Sequence, residues 1–132
     1  MKISDHLEKA KAFERALTKL DRLLDGELYA VFLMRAGTNR LNAALHALDV
    51  TTDGAPTSVK LGDLNHTYKP KLASGAPAQL KEAFSKLAYI ENLRPVYVRG
   101  AKALDAQAAG EAEAALAVIR RDTDAIIKRG AL

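Results

Sequence analysis

Leu28-Tyr29-Ala30-Val31-Phe32-Leu33-Met34-Arg35-Ala36-Gly37-Thr38-Asn39-Arg40-Leu41-Asn42-Ala43-Ala44-Leu45-His46 is the stretch whose reading decides the fold. Leu28, Val31 and Phe32 open a buried helix face, and Met34, Leu41, Leu45 and Leu48 form an adjoining apolar stripe. The pattern predicts a helix from about Glu27 to about Asp49. Gly37 is its interior weak point, worth about 1 kcal/mol against alanine, and it marks a close helix crossing.

Working outward, residues on either side repeat the helical pattern. His6, Ala10, Phe13, Leu17, Leu20 and Leu24 fall on one face and predict a first helix, started by Ser4 or Asp5 and ended by Gly26. Downstream, Leu80, Phe84 and Leu87 give a third helix from about Pro77 to about Leu93, which Pro95 should end, with Val96 to Gly100 as an extended link. Ala109, Ala112, Leu116, Ile119, Thr123 and Ile126 give a fourth, from about Asp105 to about Arg129. The excursion of about 50–76 is rich in turn formers, and Val59–Leu64 is its best candidate for a short regular element. The fold expected is therefore all-α: a four-helix bundle in a single domain spanning 1–132, with one long crossover loop between helices 2 and 3. Its alanine-rich core is small, which favours completion as a homodimer.

Composition excludes several classes of function. The chain has 132 residues and no cysteine, so disulfide scaffolds, thiolate metal sites and cysteine catalysis are out. Hydrophobic residues make up 48%, and the formal charge is only +4, values that exclude general disorder. Basic and acidic residues are mixed within segments, so a double-stranded DNA binder is not expected. No membrane span and no signal peptide are read from the sequence, and a cytoplasmic protein is expected. Neither a phosphate-binding glycine loop nor a nucleophile elbow is present. The three histidines lie in separate segments, with no Glu-x-x-His or His-x-x-x-His pair, so no metal and no cofactor are expected.

Within the deciding stretch, Arg35, Asn39, Asn42 and His46 fall within roughly 60° of one another on a helix. They continue the side of the helix that starts apolar. Buried polar groups left unpaired cost about 1–3 kcal/mol each, so this stripe must meet partners or line a cleft. Two irregular segments supply similar side chains: His66 and Tyr68 in one, and Arg94, Tyr97 and Arg99 in the other. A shared cleft of these residues would suit an anionic small molecule or RNA. The same residues would equally form a buried network that pins the long loop, or a dimer seam. His66 reads as a turn or surface residue, and His6 as a partly exposed residue at the edge of the core.

Arg40-Leu41-Asn42-Ala43-Ala44-Leu45-His46 places five residues between an arginine and a histidine. It resembles the Arg-x(4–6)-His motif of HEPN domains, which are dimeric helical bundles. Many of them act as metal-independent ribonucleases or as toxins paired with antitoxins. The resemblance implies that Arg40 would stabilise a phosphate and His46 would act as acid or base in attack by an RNA 2′-hydroxyl. Three functions thus stand side by side: a binding module for an anionic ligand, a HEPN-like ribonuclease, and a purely structural dimeric partner.

Overall fold

The computed structural model describes residues 1–64 and 75–130. The described residues form four α-helices, α1 (Ile3–Leu17), α2 (Gly26–Ala47), α3 (Lys81–Glu91) and α4 (Ala106–Gly130). A 3-10 turn, Ala78–Leu80, leads into α3, and a π-helical turn, Arg94–Val98, follows it. There is no strand among the described residues, and the expected all-α four-helix architecture is the one observed.

Helix α2 is the central element and packs against α1, α3, α4 and the π turn. Leu33, Leu41 and Leu45 from α2 meet Leu80, Leu87, Ile90 and Ile119 in the fully buried core. Close approach is possible because Gly37 has no side chain. A Cβ there would lie 3.1 Å from Leu87 Cδ1 and 3.2 Å from Ile119 Cδ1. The face read on α4 is buried from Ala109 to Ile126, and Asp105 starts that helix by accepting the Ala108 N–H at 2.8 Å.

Several boundaries differ from the expected ones, each for a local reason. Helix α1 stops at Leu17 rather than near Leu24. The Asp21 carboxylate accepts the N–H groups of Leu23 and Leu24, at 2.9 and 2.8 Å, and so offers that backbone an alternative to the helix. These same bonds hold the Asp21 carboxyl below its ordinary pKa. Leu24 consequently points into solvent, 88% exposed. Gly26 does not end α1 but begins α2, where a Cβ would lie 2.9 Å from Leu104 Cβ. Leu28 is exposed, and the first buried side chains of α2 are those of Tyr29 and Ala30. Helix α3 ends at Glu91, and Pro95 sits inside a new helical turn instead of an extended link. Its missing N–H costs nothing in a first turn.

The exit from α2 sets up the site. Asp49 adopts a left-handed backbone conformation (φ 60°). Its N–H bonds to His46 O and that of Val50 to Leu45 O, both at 3.0 Å. This is a Schellman ending with an aspartate at the usual glycine position. The chain therefore doubles back over the end of α2. Residues 48–64 form no regular element, including 59–64; bonds from Thr52 N to Leu61 O and Thr57 N to Lys60 O close them into a compact loop. Of the expected crossover, residues 65–74 lie outside the described ones. No helix among the described residues is long and apolar enough to cross a membrane.

Candidate metal centre

His6 enters the bundle from the first turn of α1 and His46 from the last turn of α2. Both are buried, at 3% and 9% exposure. Their rings lie 5.3 Å apart between centroids. Asp63, from the returning loop, places one carboxylate oxygen between them. Its Oδ1 is 2.9 Å from His6 Nε2 and 2.8 Å from His46 Nε2. The Asp63 side chain keeps 37% of its surface exposed, which makes it the water-facing member of the three.

The far side of each ring is also held. Asn39 donates through Nδ2 to Arg35 O at 2.9 Å, which turns its Oδ1 toward His6 Nδ1, at 2.8 Å. An amide oxygen only accepts, so the His6 ring proton is committed at Nδ1. His46 Nδ1 pairs with Thr51 Oγ1 at 2.6 Å. The two nitrogens of His46 thereby hold both ends of the loop, Thr51 on one and Asp63 on the other. Asn42 adds a third fastening by accepting the Leu64 N–H on Oδ1 at 2.6 Å.

With Nδ1 of His6 directed at Asn39, its Nε2 faces the Asp63 oxygen, an arrangement in which a metal ion would fit between the two. Burial opposes the charged form of Asp63, yet hydrogen bonds from His6, His46 and the Met1 ammonium outweigh it and leave the carboxyl below its ordinary pKa. That ammonium lies 3.1 Å from Asp63 Oδ2. The ligand atoms of His6, His46 and Asp63 all lie within 4.8 Å of one another. A tetrahedral ion with bonds of about 2.0–2.1 Å would set its ligands about 3.3 Å apart. The two nitrogen–oxygen distances fall short of this spacing by a few tenths of an ångström, and Asp63, on a loop, is the residue placed to withdraw by that much.

The expected cleft is divided by the structure. Asn39, Asn42 and His46 do come together, but with one another's supports and with the loop. Arg35 is exposed at the other end of the stripe. Arg94 directs Nη1 at Met34 Sδ, 3.9 Å away, and its buried Nε has no partner among the described residues. Tyr97 lines a hollow with Leu23, Leu28 and Leu104 at the start of α2, beneath the Lys102 ammonium, and Arg99 is exposed. From Leu28 to His46 the helix rises about 27 Å, so the Tyr97 hollow and the histidines occupy opposite ends of α2. His66 and Tyr68 lie outside the described residues.

Arg40, buried at 3% exposure, faces neither group. Its fork meets Glu14 of α1 twice, Nε to Oε2 at 2.6 Å and Nη2 to Oε1 at 2.8 Å, and Nη1 meets Asp124 of α4 at 2.9 Å. The hydrogen bonds to Glu14 foremost raise its pKa further. Arg40 and His46 thus have separate partners.

His6 and Asp63 are the residues that the sequence analysis missed. His6 is not at the edge of the core but within it. Its place on the α1 seam was the available signal, because an imidazole facing inward needs a polar partner. No protein-family model, no curated protein and no solved structure matches the chain.

Proposed function

We propose that this chain is a binding module whose ligand is a divalent transition-metal ion, held by Nε2 of His6, Nε2 of His46 and a carboxylate oxygen of Asp63. One observation carries the reading: two buried imidazoles direct Nε2 at a single carboxylate oxygen while each Nδ1 is occupied by a fixed oxygen partner. Ligating histidines are typically oriented in this way by an acceptor behind the ring. Two imidazoles with one carboxylate suit zinc, iron, cobalt or nickel rather than calcium or magnesium, which favour all-oxygen sites.

Titration of the metal-free protein with Zn2+ by calorimetry tests this. One ion per chain is expected to bind, and Asp63→Asn should weaken the affinity by about a hundredfold or more. Circular dichroism of that variant checks that the helices persist. A folded wild-type chain that takes up no Zn2+, Co2+ or Ni2+ would overturn the proposal. The HEPN-like alternative would need Arg40 to exchange two carboxylates for a phosphate. RNA cleavage in excess chelator, abolished by His46→Ala, would favour that alternative instead.

A further inference from the structure

We infer that the ion held by His6, His46 and Asp63 keeps a coordination position for an exogenous oxyanion, a carboxylate or a phosphate, so that the protein takes up this ligand through its metal. The inference rests on the metal-binding reading above and adds the class of ligand.

Donor number is the first ground. Structural zinc sites are closed by four protein ligands, whereas sites with three leave a position for water or another small ligand. Among the described residues, His6, His46 and Asp63 are the only group of three or more such donors that converges. Each histidine has already spent its second nitrogen, on Asn39 and on Thr51, and Asn42 Oδ1 is spent on the Leu64 N–H. Among the described residues, the polar side chains bonded to the centre are therefore committed to holding it in place.

Charge is the second ground. A divalent ion against one carboxylate leaves the centre positive. Asp63 Oδ2 already faces the Met1 ammonium at 3.1 Å, which adds positive charge on the same side. An anionic fourth ligand neutralises this excess where a water molecule would not. Access is the third ground. The histidines are enclosed, but Asp63 is 37% exposed, so solvent reaches the group along the loop. An oxyanion approaching there would meet the ion with one oxygen and the ammonium with another.

The Co2+-loaded protein reports on the open position, because the visible ligand-field bands of cobalt change when a ligand is exchanged. Sodium acetate and inorganic phosphate are titrated separately against the protein carrying one Co2+ per chain. A saturable shift in the bands with either anion is expected. Response to both identifies a general oxyanion position, and response to one alone identifies carboxylate or phosphate as the class. Bands unmoved by both anions would overturn this inference and leave the metal site standing; absence of Co2+ bands would remove both. Asp63→Asn should lose the bands and the anion response together. A response that survives in that variant would come from cobalt held elsewhere and would also overturn the inference.

Discussion

Arg40 shows how one side chain can be structural where sequence spacing suggests chemistry. It joins three helices through Glu14 and Asp124, and Glu14 is itself nearly enclosed, at 12% side-chain exposure. Removing the arginine leaves the nearly enclosed Glu14 with only the half-exposed Arg120, whose Nε is 3.8 Å from its Oε2, so Arg40→Ala should cost about 3 kcal/mol, read from the urea midpoint. Tyr29 offers a second test at this scale. Burial, then a 2.7 Å hydrogen bond to Glu113, pushes its pKa up to about 12. Its proton is held more tightly in the folded chain than in the unfolded one. The resulting stability is present in full below pH 10 and is lost as the pH rises toward 12. Wild type should therefore lose stability over this range more steeply than Tyr29→Phe, as measured by urea unfolding at successive pH values.

The helices themselves were the most legible elements. The α4 face from Ala109 to Ile126 and the α1 face from His6 to Leu17 are periodic, and periodicity reports burial directly. Their ends were less legible. Apolar spacing continues through Leu20 and Leu24, whereas Asp21 stops the helix by local hydrogen bonding that spacing does not register. The end of α2 was equally hidden, since its turn uses Asp49 where a glycine would have announced it. An aspartate in the left-handed region is strained by roughly 1 kcal/mol, and its ion pair with the partly exposed Lys60 returns little. Asp49→Gly should accordingly raise stability by up to about 1 kcal/mol in thermal or urea unfolding, with the loop and the metal site unchanged.

At the scale of the whole molecule, the loop of residues 48–64 is fastened to α1 and α2 at the same centre that would hold the ion. Ligand bound only by the folded chain stabilises it by mass action, about 2.7 kcal/mol at a hundredfold excess over Kd. Zn2+ should therefore raise the melting temperature of wild type in calorimetry, and Asp63→Asn should reduce the increase to a small fraction at the same Zn2+ concentration. By itself the sequence determined the helical class, the four helices found among the described residues and the buried faces of α1 and α4, because these follow from side-chain spacing within single segments. It also placed Asn39, Asn42 and His46 on one inward side of α2. Only the tertiary structure decided what that side meets. His6 and His46 are distant in sequence, and Asp63 lies 57 residues from the first and 17 from the second. No periodicity links them. Their meeting depends on α1 packing along α2 and on the chain reversing at Asp49, and both are consequences of how the helices bury their faces together.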